Sequence, residues 1–263
     1  MSKPAEIIPE NQQSYWDSLS GYYHEITRIS VGDFHYGPQI PGERKLRLLP
    51  RIRPGMTALE LGCGAAQNSI WLSKRGAVCV AADISPQQLA RAAALAEREK
   101  AKVELLEASL EKFHLKLRGR TFDLVHSSHA LEFARRPDRV VRKMSEFLNP
   151  GGTLMVSTVH PLYNGSWVEG MVEDESGTVF DGQFLTDYFN PPDDVRDDIY
   201  GRVVSRAYPV SDWFRWLRAA GLEVTAIAEP PAVVDAPYTS DDWADHGGQL
   251  DHIPSTLIMV ARK

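Results

Sequence analysis

From Thr57 onward the apolar positions follow two alternating rhythms. Short unbroken runs, such as Thr57–Leu61 and Val78–Asp83, are followed by stretches with apolar residues every three or four positions. The runs suit strands covered on both faces, and the stretches suit helices. Their alternation predicts a parallel sheet with helices on both sides. The strands read Thr57–Leu61, Val78–Asp83, 103–106, 122–127 and 153–158, then Glu223–Ala228 and 256–261. Gly76 stops a helix running to about Arg75. Ser85 caps another, with Pro86 in its first position and Gln88 able to reach back to the cap. A helix over 137–148 precedes the turn Asn149-Pro150-Gly151-Gly152. Ser211 caps and Gly221 stops a helix over 212–220.

Two segments stand outside this alternation, 15–49 and 160–208. A connection as long as the second is uncommon unless it is functional or mobile. Both are expected to cover the strand ends. The whole chain, 1–263, then reads as one domain: an N-terminal arm and cover over 1–41, a binding core over 42–160, an inserted lid over 161–208 and the rest of the core over 209–263. Residues 1–13 are expected to be a flexible arm, and 246–252 a solvated loop.

Composition narrows the options. With 263 residues, 43% hydrophobic, the chain can bury a substantial core. No apolar run approaches the ~20 residues of a membrane span, and the polar start lacks a signal-peptide core. A cytoplasmic protein without a membrane partner is expected, as a monomer or homodimer. Two cysteines, Cys63 and Cys79, are too few for a disulfide framework. The net charge is −6, and residues 161–208 hold ten Asp or Glu against three Arg. A nucleic-acid binder usually carries a basic surface, so no nucleic-acid partner is expected. His126 and His129 lack further ligands nearby in the sequence, so no metal is expected.

The most informative stretch is Glu60-Leu61-Gly62-Cys63-Gly64-Ala65-Ala66, directly after the first strand. Ligands of open α/β sheets bind beyond the carboxyl ends of the strands. Gly62 and Gly64 let the backbone turn tightly and approach a ligand. Small Ala65 and Ala66 allow the next helix to pack near the loop. Asp83 ends the second strand, where an acid can accept both hydroxyls of a ribose. A nicotinamide dinucleotide would need a glycine where Gln67 stands, and its diphosphate would be opposed by Glu60. Glu60 suits an ammonium group instead. Ribose, adenine and an amino-acid end together describe S-adenosylmethionine.

Here the residues resemble a known family. Glu60-Leu61-Gly62-Cys63-Gly64-Ala65-Ala66 looks like the first motif of class I S-adenosylmethionine-dependent methyltransferases, with Ala66 in place of the usual third glycine. Asp83 resembles their acidic second motif. Phe122-Asp123-Leu124-Val125-His126-Ser127 and Leu148-Asn149-Pro150-Gly151-Gly152-Thr153-Leu154 resemble the fourth strand and the turn into the fifth. The resemblance implies a Rossmann-like α/β fold with a mostly parallel seven-stranded sheet, an N-terminal helical cover and a lid after strand 5. It implies that Glu60, Gly62, Cys63, Gly64, Ala65, Asp83 and Gln88 surround the cofactor. Ile84 and Leu110 would pack beside the adenine, with Ser109 at the position where the family often has Asp. His126, Ser127 and Asn68 would meet the methionine portion.

Methyl transfer from a sulfonium is an in-line displacement, in which the protein supplies placement, exclusion of water and sometimes a base. His129 and His160, at the ends of the fourth and fifth strands, are the candidate bases. Tyr22, Tyr23, His24, His35, Tyr36 and Tyr163 are the candidate acceptor-binding residues. The expected function is methylation of a small molecule at an O, N or C atom left open. Protein or RNA methylation and a catalytically silent cofactor-binding module are the alternatives.

Overall fold

The computed structural model describes residues 5–163, 167–173, 175–185, 187–241 and 252–263. Its first element is the helix α1 (Pro9–Ile26), where an arm was expected through residue 13. Pro9 opens the helix, which the fixed φ of proline favours. Ile7 and Gln12 are buried, and the Gln12 side-chain amide donates to the carbonyl of Val204. Those contacts anchor the segment. The strand β1 (Thr27–Ile29) and the short helix α2 (Glu43–Leu46) complete the cover.

The core then alternates as the pattern predicts: β2 (Thr57–Leu61), α3 (Gln67–Ser73), β3 (Val78–Asp83), α4 (Pro86–Arg98), β4 (Val103–Glu107), the short α5 (Phe113–Lys116), β5 (Phe122–Ser128), α6 (Pro137–Glu146) and β6 (Leu148–Val159). Ser85 accepts from the Gln88 amide as the cap of α4. The Gln88 side chain does not reach back to that cap; its Oε1 bonds Nε2 of His24 on α1 instead, 3.0 Å away. The insertion forms two hairpins, β7 (Trp167–Glu173) with β8 (Val179–Leu185), and β9 (Asp194–Asp198) with β10 (Gly201–Ser205). Helix α7 (Val210–Ala219) begins after Pro209, not after Ser211, and β11 (Glu223–Ala228), β12 (Tyr238–Ser240) and β13 (Thr256–Arg262) follow. Residues 246–251 of the expected solvated loop lie outside the described residues.

Among the described residues, seven strands form one sheet in the order β11-β13-β6-β5-β2-β3-β4. The strands from β4 to β6 are parallel, and β13 and β11 run antiparallel. Side chains of successive strand residues alternate between the faces. Leu59, Leu61, Val125 and Val156 join a cluster with Val141, Met144, Trp213 and Leu217 of α6 and α7. Ala58, Leu124 and Met155 join the opposite cluster with Trp71 and Leu72 of α3 and with Phe34, Tyr36 and Ile40 of the cover. Burying both faces explains the unbroken apolar runs.

The chain runs outward from β2 to β4, then returns to β5 on the other side of β2. That reversal opens a crevice at the carboxyl ends of the strands. α1 and the β1–β12 pair lie over it. α1 packs Tyr15 and Leu19 on Val203 of β10. Asp17 accepts from the Ser85 hydroxyl at 2.5 Å and from the Gln87 amide at 3.2 Å, at the N-terminus of α4. No helix among the described residues is long and apolar enough to cross a membrane.

Candidate active site

The loop after β2 takes its shape from three left-handed residues, Gly62 (φ 69°), Gly64 (φ 52°) and Ala66 (φ 58°). A Cβ on Gly62 would land on the Cβ of Ala130, so no larger residue fits there. A Cβ on Gly64 would meet Oε1 of Gln88 at 4.0 Å, and the Gly64 amide donates to Oδ2 of Asp83 at 2.8 Å. Oδ1 of Asp83 accepts from the Ser85 amide at 2.9 Å. Burial pushes the Asp83 carboxyl up, against these hydrogen bonds. It stands at the rim of a cleft also lined by Glu60, Gly62, Cys63, Gly64, Ala65, Ile84, Gln88, Ser109 and Leu110. These ten of the thirteen expected cofactor residues therefore meet in one place.

Glu60 is the penultimate residue of β2 and is buried. Its Oε2 accepts from the amide and hydroxyl of Ser69, at 3.0 and 2.5 Å. Burial pushes it up to about 8, the Ser69 bonds opposing. A cation beside it would favour the carboxylate. Burial also raises the Cys63 thiol well above its ordinary range, so it acts as wall, not as nucleophile.

The other three lie behind the cleft. The side chain of Asn68 bridges the backbone of His35, accepting from its amide at 2.9 Å and donating to its carbonyl at 3.0 Å. It thereby ties the cover to α3. Ser127 donates to the Leu61 carbonyl at 2.8 Å and so steadies the loop. His126 is fully buried against Phe34, ring centres 5.2 Å apart, and neither ring nitrogen has a partner among the described residues. Burial brings it down to about 3.

A second chamber of about 500 Å³, within the range of ordinary ligand pockets, adjoins the cleft. Both are lined by Trp16, Tyr23, His129, Phe133 and Tyr238, which form the boundary between them. The hydroxyls of Tyr23 and Tyr238 meet at 2.5 Å. Trp16 packs edge-on against Tyr23 and Phe133. Tyr22 and Tyr163 line the far side, where Tyr22 stacks on Tyr200. His24 and His35 line the cofactor side. Tyr36 is not at the acceptor side, contrary to expectation. It is fully buried under the sheet and its hydroxyl donates to Glu43, because the chain turns inward after His35 to cover the second face.

The two histidines differ in placement. His129 holds Nδ1 3.3 Å from Oε1 of Glu132 and Nε2 3.0 Å from the Thr256 hydroxyl. Its backbone is left-handed, φ 50°, a conformation that a non-glycine residue adopts at a cost. Glu132 is buried and also accepts from the Thr158 hydroxyl at 3.1 Å. His160 is buried outside both chambers. Its Nε2 is 2.7 Å from Glu229 and its Nδ1 accepts from the Leu162 amide, since the chain leaves β6 away from the cleft. Among the described residues, no three His, Cys, Asp or Glu stand together to hold a metal.

The sequence reading left out Trp16, Phe133, Tyr238 and Arg196. Trp16 had a signal, since it stands seven residues before Tyr23 on one helix face. Tyr238 had none, because only the pairing of β12 with β1 brings it over the cleft.

Residues 59–156 match the family model described as a methyltransferase domain. Demethylmenaquinone methyltransferase of Mycobacterium tuberculosis is 32% identical over 149 residues, 56% of this chain and 58% of that protein. The ubiquinone biosynthesis O-methyltransferase of Xanthomonas campestris is 30% identical over 107 residues, 41% of this chain and 44% of that protein. The chain thus spans about half the length of these curated relatives. A crystal structure of an S-adenosylmethionine-dependent methyltransferase from Mesorhizobium loti superposes with a TM-score of 0.62. That match has 25% identity and covers 82% of this chain and 94% of that one.

Proposed function

We propose that the chain, which resembles class I S-adenosylmethionine-dependent methyltransferases, methylates a small molecule with S-adenosylmethionine as donor. The observation that carries the proposal is Asp83, fixed by two amides at the rim of the glycine loop. Its remaining lone pairs suit a ribose diol. The cradle fits the rest of the cofactor. Ile84 and Leu110 offer apolar flanks for adenine, with Ser109 at the ring edge, and Glu60 faces the amino-acid end. Ser127 and Asn68 act from behind, by holding the loop and the cover in place; His126 packs beneath them.

When bound, S-adenosylmethionine supplies a methyl carbon on a positively charged sulfur, which the acceptor atom attacks in line. Everything else falls to the chain. Trp16, Tyr23, Phe133 and Tyr238 enclose the boundary where the acceptor meets the methyl group, and so exclude water. His24 and His35 close it from the cofactor side, and Tyr22 and Tyr163 hold the acceptor's far end. His129 takes the proton the acceptor loses. The neighbouring Glu132 carboxylate holds the ring through Nδ1, and the Thr256 hydroxyl, the partner of Nε2, turns aside to open that nitrogen to the acceptor's proton. Placement carries most of the acceleration.

Two observations support a small acceptor. The chamber, about 500 Å³ with α1 as one wall, suits a small ligand, and the relatives are named for menaquinone and ubiquinone chemistry. The acidic insertion is poorly suited to nucleic acid. Calorimetric titration with S-adenosylhomocysteine tests the reading. Saturable binding, with none of NAD, is expected. No binding of the former by the folded protein would overturn it.

A further inference from the structure

The chamber beyond the cofactor cleft has a composition that speaks to its ligand. Its walls are aromatic, including Trp16, Tyr23, Phe133, Tyr163, Tyr200 and Tyr238. Three carboxylates line it, Glu132, Asp194 and Asp198, against one guanidinium, Arg196. Arg196 is committed to Asp194, 3.0 Å away. Glu132 accepts from Thr158 and faces His129, and Asp198 accepts from the Tyr15 hydroxyl and the Tyr200 amide. Those partners are neutral hydroxyls, an amide and an imidazole. No second Lys or Arg among the described residues lines the chamber.

We propose that this chamber selects an acceptor built on a flat ring system that carries a positively charged nitrogen. The inference rests on the reading of the chamber as the acceptor site and adds the acceptor's charge. An aromatic wall attracts a cation through the negative faces of its rings. Carboxylates with neutral partners add Coulomb attraction, screened least at the buried Glu132 and most at the exposed Asp198. The same charges repel a carboxylate or phosphate, so the preference is set by exclusion as well as by attraction. The flat body follows from the walls, because an incoming ring can add an edge-on or stacked contact to aromatics that already pack in this way, such as Trp16–Phe133 and Tyr22–Tyr200.

A matched pair of probes tests the charge on one ring and chain length. Tryptamine and indole-3-propionate share both and differ in sign. With the full chain saturated by S-adenosylhomocysteine, tryptamine is expected to bind at least about tenfold more tightly by calorimetry, and less so at high salt. Asp198→Asn should shrink the ratio to below about threefold, and Glu132→Gln should do the same if it folds. Arg196→Gln should widen it, because it removes the opposing charge. Equal or tighter binding of indole-3-propionate overturns the proposal, as does a ratio unmoved by both Asp198→Asn and Arg196→Gln. Failure of both probes to bind while S-adenosylhomocysteine binds overturns it and leaves the cofactor assignment standing. Failure of S-adenosylhomocysteine to bind removes the proposed function and this inference with it.

Discussion

His129 presents Nδ1 to the Glu132 carboxylate at 3.3 Å, on the wall shared by the cofactor cleft and the acceptor chamber. A histidine so paired is held in one orientation and one tautomer. His160 has a shorter contact, 2.7 Å to Glu229, but it is buried away from both cavities. Contact distance alone would rank the two the other way; access to the acceptor decides between them.

His129→Ala should therefore lower turnover by about 10²–10⁴-fold, the usual contribution of a general base. S-adenosylhomocysteine affinity should stay within about twofold, since Glu132 and Thr256, which engage the His129 ring, do not line the cofactor cleft. His160→Ala should leave turnover nearly unchanged and lower thermal stability, because it strands part of a buried network. Steady-state kinetics on each variant, with calorimetry, separates the roles. Equal loss in both variants would refute the assignment.

Asp83→Ala should weaken S-adenosylhomocysteine binding by about 1.5–3 kcal/mol per lost charge-assisted hydrogen bond. It also frees the amides of Gly64 and Ser85, so a lower melting temperature is expected alongside. Asp83→Asn separates the effects, since its amide oxygen can still accept from one of the two N–H groups. Affinity equal to the parent in a folded Asp83→Asn protein would show that the carboxylate does not meet the ribose.

The cofactor cleft holds only about 140 Å³, well below the ~300–1,000 Å³ of typical ligand sites. Ile7, Pro9, Gln12 and Trp16 fill it from the N-terminal side. α1 must swing outward to admit ligand, and its latches on α4 are Asp17 to Ser85, Ser20 to Arg91 and His24 to Gln88. Amides of α1 should exchange faster without S-adenosylhomocysteine than with it, and Asp17→Ala should speed exchange in the free protein alone. Equal protection with and without ligand would mean that α1 is a fixed wall.

The sheet and the cofactor loop were legible because their signals are local. The bounds of β2, β3 and β11 follow from apolar runs and from Gly62, Gly64 and Gly76, whose conformations the neighbouring sequence dictates. Ala66, which breaks the glycine pattern, adopts the left-handed conformation a glycine would take there. The acceptor side was less legible because it is assembled from distant segments. Tyr23 meets Tyr238 across 215 residues, and Tyr15 meets Asp198 across 183. Nothing in the local pattern of either partner announces the other. Asn68, Ser127 and Tyr36 have the residue types of a polar site, yet their hydrogen bonds go to the scaffold.

The last prediction concerns pH. His35 and His126 are buried, and burial brings each down to about 3, from 6.5 in the unfolded chain. Between these values the unfolded state binds more protons than the folded one, so stability falls as pH falls from about 6.5 toward 3. Glu60 works in the opposite sense. Burial raises it to about 8 from 4.5, so the folded state holds the extra proton and stability falls as pH rises through that window. Each group contributes a limiting slope of about 1.4 kcal/mol per pH unit. His126→Phe should flatten the acid limb by one such slope, with little penalty at neutral pH. The ring nitrogens it removes have no hydrogen-bond partner among the described residues, and the new ring can pack on Phe34. Glu60→Gln should flatten the alkaline limb. It should also abolish the proton release that accompanies cofactor binding below about pH 8, where an incoming ammonium ionises the buried acid. Urea midpoints from pH 4 to 8, with calorimetry in two buffers of different ionisation enthalpy, read both effects. An acid limb as steep in His126→Phe as in the parent would show that His126 titrates normally in the fold.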